Sequence, residues 1–164
     1  PKIAALADEP LEWHFIGRLQ SNKTAEISAH FDWVHGLDSR KHAERLSRQR
    51  PKSMGPLNLC LQVNLSGEAS KGGVTAAALP ELARAVSSLP GLRLRGLMTM
   101  PDPTLDADRT RATFDALAAC LDSLRRDGLS LDTLSMGMSR DMETAIAAGS
   151  TLVRIGTDIF GPRQ

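Results

Sequence analysis

A serine and a glycine–threonine pair stand at the ends of two neighbouring predicted strands, in the stretch TLSMGMSRDMETAIAAGSTLVRIGTDIFG (133–161). The pattern predicts strand, turn, helix, turn and strand, with Ser139 after the first strand and Gly156 and Thr157 inside the second. Capping of the helix is the ordinary role of a single serine like Ser139. The free N–H groups of such a turn also bind anions, and the nearby Gly156–Thr157 pair favours this role. The two strand ends therefore predict a phosphate site.

Two further cations could face the same ligand. Arg154 lies two residues before Gly156, on the same side of the predicted strand. An arginine in a buried strand needs a partner, so an ion pair inside the fold and a ligand heteroatom both stay open. Lys71 lies in the polar loop SGEASKGG, 66–73, after a buried strand. It is either a solvated loop charge or a contact to an anionic ligand.

Other residue types that often carry chemistry have ordinary explanations in this sequence. His14 stands between two aromatic residues, which is typical of a partly buried, hydrogen-bonded imidazole. The other histidines show no metal-ligand spacing, so we predict no metal site; they are His30, His35 and His42. Met98 and Met100 are expected in the core, because methionine fills irregular interior gaps.

Length and composition indicate one globular domain. The chain has 164 residues, of which 41% are hydrophobic and 24% charged, enough for a real core. A net charge of +1 gives no field of one sign, so we expect no nucleic-acid or membrane partner. Cys60 and Cys120 lie in apolar patterns without metal spacing, which fits buried thiols in a reducing, cytoplasmic compartment; a disulfide is the alternative.

Strands and helices alternate along the chain. Strands are predicted at 12–19, 31–38, 57–65 and 92–100, besides the two in the stretch 133–161. Helices are predicted at 21–30, 39–50, 75–91, 106–127 and 140–149. Ser21 or Asn22 is the expected N-cap of the first helix, and Ser39 that of the second. This α/β alternation predicts a parallel sheet, either open and doubly wound or a barrel short of two units.

Five motifs, in the same order, resemble the YggS/PROSC family of pyridoxal 5′-phosphate-binding proteins linked to vitamin B6 homeostasis. They are HFIGRLQSNK, LQVNLSGEASKGGV, GLMTM, LSMGMSRDMETAIAAGST and VRIGTDIFG. The resemblance runs over nearly the whole chain. It implies a (β/α)8 TIM-type barrel similar to the alanine racemase N-terminal domain, fold type III of pyridoxal phosphate proteins. Residues 1–164 would then be one N-terminally incomplete barrel domain with only strands three to eight.

The resemblance also implies a cofactor site at matching positions. The cofactor phosphate would be held by Ser139, Gly156 and Thr157, and Arg154 would face the pyridine nitrogen. Met100 would stand where racemases have a ring-stacking histidine. Three further residues would lie near the cofactor: His14, Asn22 and Lys71.

This sequence departs from the family pattern at its start. The family begins with two strands that carry the Schiff-base lysine and an FGENY-like motif, and neither is found here. None of the lysines in the chain matches that lysine, so we expect it upstream, in a longer native product.

The resemblance implies a non-enzymatic carrier that binds pyridoxal phosphate and limits its free concentration. Pyridoxal phosphate and apo-enzymes that depend on it would be the partners, and a monomer is the simplest state. A racemase-like enzyme is disfavoured, because the chain has no tyrosine and ends directly after its last strand. A sugar-phosphate enzyme using Asp102 or Asp158, and a fragment without ligand, are the remaining alternatives.

Overall fold

The structure is a computed structural model that describes residues 2–6, 8–66 and 72–161. Strands and helices alternate through these residues, as the sequence predicts. The strands are β1 (His14–Phe15), β2 (Trp33–Leu37), β3 (Leu57–Asn64), β4 (Val74–Thr75), β5 (Leu92–Met98), β6 (Thr133–Met138) and β7 (Leu152–Arg154). The helices are α1 (Lys2–Ala5), α2 (Thr24–His30), α3 (Arg40–Gln49), α4 (Leu79–Ser87), α5 (Ala107–Arg126), α6 (Met142–Ala147) and α7 (Thr157–Phe160).

All pairings in the sheet are parallel, in the order β1-β2-β3-β5-β6-β7, with the short β4 added beside β3. Each crossover between neighbours of this path contains a helix, which is the arrangement of a partial (β/α)8 barrel. Parallel strands in register bring their carboxyl ends to one edge of the sheet. The polar residues that follow β5, β6 and β7 therefore meet there.

The core lies between the central strands and the helices that cover them. Strand β3 is buried on both faces, with Leu59, Cys60 and Leu61 all fully buried, as its continuous apolar run predicts. Helix α5 turns its predicted apolar face to this core; the face is Phe114, Leu117, Leu121 and Leu124. Burying each such side chain contributes about 1.5–3 kcal/mol to the free energy of folding. This packing stabilises the sheet that carries the site.

One of the two predicted helix N-caps needs correction. Helix α2 begins at Thr24 with Lys23 at the N-cap and no side-chain cap, so the predicted cap at Ser21 or Asn22 is wrong. The Thr24 hydroxyl donates instead to the Ser21 carbonyl at 3.0 Å, which stabilises a turn before the helix. At α3 the prediction is confirmed, since the Ser39 Oγ accepts from the His42 main-chain N–H at 3.4 Å.

Strand β5 is shorter than predicted, which changes the place of one methionine. Met98 is fully buried, but Met100 lies beyond the strand and is 39% exposed, so its predicted core position is wrong. Proline at 101 lacks the N–H that a longer strand would donate to its ladder. The chain therefore leaves the sheet and places Met100 on the surface above it.

The final predicted strand is also shorter. Strand β7 ends at Arg154, and Gly156 and Thr157 start the helical turn α7 instead of lying inside a strand. The main-chain N–H groups of Ile159 and Phe160 both donate to the Gly156 carbonyl, at 3.0 and 2.8 Å. A strand at this position could not form these two local hydrogen bonds, so they favour the helical turn.

Candidate functional site

A cleft of about 1160 Å³ opens at the carboxyl ends of the last strands. Its lining includes six of the eight predicted site residues: Ser139, Arg154, Gly156, Thr157, Met100 and His14. Asn22 lies in the exposed turn before α2 and is not among the lining residues. Lys71 lies outside the described residues.

The turn between β6 and α6 presents Ser139 to this cleft. Gly137 has φ +97°, and a Cβ there would lie 2.6 Å from the Ala145 Cβ, so glycine lets α6 pack closely on the strand end. The carboxylate of Asp141 accepts from the Met138 N–H at 2.6 Å. Helix α6 has Asp141 at its N-cap and no side-chain cap, so the structure does not support the alternative role of Ser139 as a helix cap. Its hydroxyl is left to the cleft.

The loops after β6 and β7 meet at Ser139. The Ser139 Oγ accepts from the main-chain N–H of Asp158 in α7 at 3.4 Å. Thr157 begins that helix, and the first N–H groups of a helix have no intrahelical partner. A Cβ at Gly156 would have no atom within 4 Å among the described residues, so glycine leaves the backbone open to the cleft. Hydroxyl and main-chain donors on one corner suit a phosphate.

Arg154 is held against the wall of the cleft by two hydrogen bonds. Its Nη1 donates to the Ser135 Oγ at 2.7 Å, and its Nη2 donates to the Thr99 carbonyl at 3.1 Å. Burial lowers the pKa of the Arg154 guanidinium, and the charge of Asp141 opposes that shift. An arginine keeps its charge in proteins. Because both acceptors are neutral, that charge is available to a ligand.

The sequence analysis did not identify His35 as a residue of this site. Its imidazole is fully buried in β2, with Nδ1 2.7 Å from the Ser135 Oγ and Nε2 2.9 Å from the His14 Nδ1. Burial lowers its pKa from 6.5 to about 4, and the nearby His14 and Arg154 act in the same direction. His35 lies in the otherwise apolar strand WVHGL. An ionisable residue in a buried strand needs a polar partner, and the same argument drew attention to Arg154 in the sequence.

His14 closes the other side of the wall. Its ring stacks on Trp33 with centroids 5.4 Å apart, and its Nε2 lies 3.5 Å from a carboxylate oxygen of Glu12. The other oxygen of Glu12 accepts from the Trp33 indole N–H at 2.7 Å. The prediction of a partly buried, hydrogen-bonded imidazole is confirmed, and this imidazole also borders the cleft.

The described residues offer few other reactive groups. They contain no cluster of three or more His, Cys, Asp or Glu able to hold a metal ion. Both cysteines are free thiols; Cys120 is half-buried, and burial raises the pKa of Cys60 to about 12, which makes its thiol unreactive. Within the same residues, no helix combines the length and hydropathy needed to cross a membrane.

Comparison with known proteins gives consistent matches. The family model for the alanine racemase N-terminal domain matches residues 9–164. A pyridoxal phosphate homeostasis protein of Pseudomonas aeruginosa is 58% identical over 163 residues, which are 99% of this chain and 70% of that relative.

Solved structures agree with the sequence matches. PipY of Synechococcus elongatus, solved with pyridoxal phosphate bound, superimposes with a TM-score of 0.89 at 40% identity, over 98% of this chain and 76% of PipY. An alanine racemase of Clostridium difficile superimposes with a TM-score of 0.77 over 98% of this chain and 42% of the racemase. At 12% identity, that second likeness shows the barrel fold alone.

Proposed function

Because this chain belongs to the family of pyridoxal phosphate homeostasis proteins, the YggS/PROSC family built on the alanine racemase N-terminal domain, we propose that it binds pyridoxal phosphate in the cleft and carries it without catalysis. The observation that carries this proposal is the meeting of Ser139 with the first turn of α7, on the cleft whose wall holds Arg154. A PipY structure with pyridoxal phosphate bound supports it.

The phosphate would be held by the corner that Ser139, Gly156 and Thr157 form. Its donors are two hydroxyls and main-chain N–H groups, and such donors match the oxygens of a phosphate. The carboxylate of Asp141 accepts from the Met138 N–H, which is not one of these groups. The donor set therefore fits the phosphate end of the cofactor.

Arg154 would face the ring nitrogen of the cofactor. When bound, pyridoxal phosphate supplies an aldehyde and a ring able to withdraw electrons. A fixed cation beside the nitrogen disfavours its protonation and so weakens that withdrawal. The homeostasis names of the relatives support a carrier over a racemase-like enzyme. Met100 and His14 would border the ring, while Asn22 and Lys71 stay predictions.

The remaining properties extend this proposal. None of the lysines in this chain matches the family's Schiff-base lysine, so this chain would hold pyridoxal phosphate through the phosphate and ring contacts. We expect one domain, a monomer in solution and a cytoplasmic location. Pyridoxal phosphate-dependent apo-enzymes would receive the cofactor. Size-exclusion chromatography with light scattering would measure the oligomeric state directly.

A binding titration with matched variants tests the proposal. Pyridoxal phosphate absorbs in the range of tryptophan emission, so quenching of the fluorescence of Trp13 and Trp33 reports binding. Ser139→Ala and Thr157→Val should each weaken binding about tenfold, as expected for the loss of a hydrogen bond to a charged group. The exposed Ser123→Ala variant should bind like the wild type.

Two results would contradict the proposal. Equal affinities of all three variants would show that the cofactor does not use the predicted corner. Racemisation of alanine by the wild-type chain with pyridoxal phosphate would contradict the non-catalytic role.

A further inference from the structure

Five polar side chains form an unbroken line from the surface to the wall of the cleft. Glu12 is exposed, and one of its oxygens lies 3.5 Å from the His14 Nε2. The His14 Nδ1 lies 2.9 Å from the His35 Nε2, and the His35 Nδ1 lies 2.7 Å from the Ser135 Oγ. The Ser135 Oγ accepts from the Arg154 Nη1 at 2.7 Å. The line crosses β1, β2, β6 and β7, so only the folded sheet assembles it.

The two ends of this line have fixed hydrogen-bonding roles. A guanidinium has donors only, so Ser135 must accept from Arg154. We assign the single hydroxyl proton of Ser135 to the Nδ1 of His35, which is then unprotonated. An ionised carboxylate has acceptors only, so Glu12 favours a proton on the His14 Nε2.

The interior links follow from these ends. A neutral imidazole carries one proton, so His35 with a bare Nδ1 carries its proton on Nε2. That N–H donates to the His14 Nδ1, and this assignment places the His14 proton on Nε2, on the side of Glu12. One assignment therefore satisfies the three hydrogen bonds from Arg154 to His14, with each donor directed towards Glu12, whose carboxylate lies 3.5 Å from the His14 Nε2.

We propose that His35 is a positioning residue for Arg154: as the neutral Nε2–H tautomer it accepts the Ser135 hydroxyl proton and turns an Oγ lone pair towards the guanidinium. This role of His35 rests on the proposed function, in which Arg154 faces the ring of pyridoxal phosphate. The Ser135 Oγ and the Thr99 carbonyl together fix the plane of the Arg154 guanidinium before a ligand binds.

The surroundings of His35 keep it neutral. Its charged neighbours are the guanidinium of Arg154 on β7 and, beyond His14 of β1, the carboxylate of Glu12. Cys60 on β3 is a protonated, buried thiol that interacts electrostatically with Arg154 and with the Arg95–Asp132 pair. Full burial and the cation of Arg154 both oppose a second proton on the ring, and the lowered pKa of His35 agrees. The neutral imidazole that the line needs thus persists at neutral pH.

Nitrogen NMR of the ligand-free chain tests the line itself. Long-range proton–nitrogen correlation of uniformly labelled protein should show both His35 and His14 protonated on Nε2 at neutral pH. Ser135→Ala removes the proton donor to Nδ1 and should change the His35 pattern. Ser28→Ala, another fully buried serine, should leave it unchanged. A proton on the His35 Nδ1 in the wild type would overturn the proposal.

Ligand binding tests the effect on Arg154. His35→Leu and Ser135→Ala should weaken binding of pyridoxal phosphate about tenfold while leaving competition by inorganic phosphate unchanged, since the phosphate corner is intact. His35→Asn should restore binding, because its side-chain oxygen can accept near the Nδ1 position. Circular dichroism confirms the fold of each variant.

The results separate the two proposals. A wild type that does not bind pyridoxal phosphate refutes the proposed function, while the tautomer of His35 still decides whether the line exists. A wild type that binds, with His35→Leu and Ser135→Ala binding equally well, overturns the role of His35 and leaves the proposed function standing.

Discussion

At the scale of single residues, His35 and Arg154 are costly side chains to bury at the cleft. Each loses hydration on burial, and the loss is offset only where hydrogen bonds replace water. They share one partner, the Ser135 Oγ, and each has a second polar neighbour, His14 for His35 and the Thr99 carbonyl for Arg154. Neutral His35 is compatible with the cation beside it, and protonated His35 would not be.

The stability of the fold should therefore depend on pH through His35. Its folded pKa of about 4 lies below the ordinary 6.5, so between these values the unfolded chain binds a proton that the folded chain does not. Stability contributed by this group is lost as pH falls from 6.5 towards 4, by about 3 kcal/mol in all. Urea unfolding across this range would measure the loss.

Two variants isolate the contribution of His35. His35→Asn should lose less stability between pH 6.5 and 4 than the wild type, because the titrating group is gone. His30→Asn replaces an exposed histidine and should follow the wild type. Parallel pH profiles for the wild type and His35→Asn would refute the shifted pKa.

Residue types at strand ends predicted much of the candidate site, but not its hydrogen-bonded wall. Ser139 and Thr157 are polar residues next to apolar strands, so the pattern shows them. His35 contacts Ser135, which is 100 residues away in the chain. Only the pairing of the strands brings them together, and a linear pattern does not contain that pairing.

At the scale of elements, the joint between β6 and α6 decides where Ser139 points. Gly137 lies at the end of the strand with φ +97°, and its missing side chain makes room for Ala145 of α6. Gly128, after α5, has a similar φ of +91° but no described atom within 4 Å of a Cβ built there. Both glycines have a positive φ, but only at Gly137 would an added Cβ meet a close neighbour.

This difference predicts two unequal costs. Gly128→Ala should destabilise the fold by about 1–2 kcal/mol through backbone strain alone. Gly137→Ala adds a clash with Ala145 and should cost about 1–3 kcal/mol more. It should also weaken pyridoxal phosphate binding, because α6 and the Ser139 turn must shift. Urea unfolding of both variants gives the comparison, and equal costs would contradict the packing role of Gly137.

The long elements were predictable and the short ones were not. Helix α5 has a sustained apolar face and a capping aspartate, Asp106, whose Oδ1 accepts from the Arg109 N–H at 2.8 Å. The turn α7 has only four residues. Its first residues, Thr157 and Asp158, fit a strand end or a helix start equally well, so tertiary contacts decide between them.

At the scale of the whole molecule, the candidate site depends on several crossovers of the sheet. Met100 follows β5, Ser139 follows β6, and Arg154 ends β7. A ligand that contacts all three would tie the loops to the buried core. The alternating order of strands and helices predicted the parallel sheet, because only parallel strands joined by helices satisfy it.

Cofactor binding should therefore stabilise the whole chain against unfolding. At a free concentration of 100 times the dissociation constant, pyridoxal phosphate should add about 2.7 kcal/mol to the free energy of unfolding. Pyridoxal, which lacks the phosphate, should add much less at the same concentration. Urea midpoints with and without each compound would measure the difference, and equal shifts would argue against a phosphate-centred site.

The most direct measurement is a crystal structure of this chain with pyridoxal phosphate. We predict that the phosphate lies at the corner of Ser139, Gly156 and Thr157 and that the ring nitrogen contacts the Arg154 guanidinium. The hydrogen bond from Arg154 to the Ser135 Oγ should be retained. A cofactor bound elsewhere, or a phosphate away from the Ser139 hydroxyl, would contradict the proposed site.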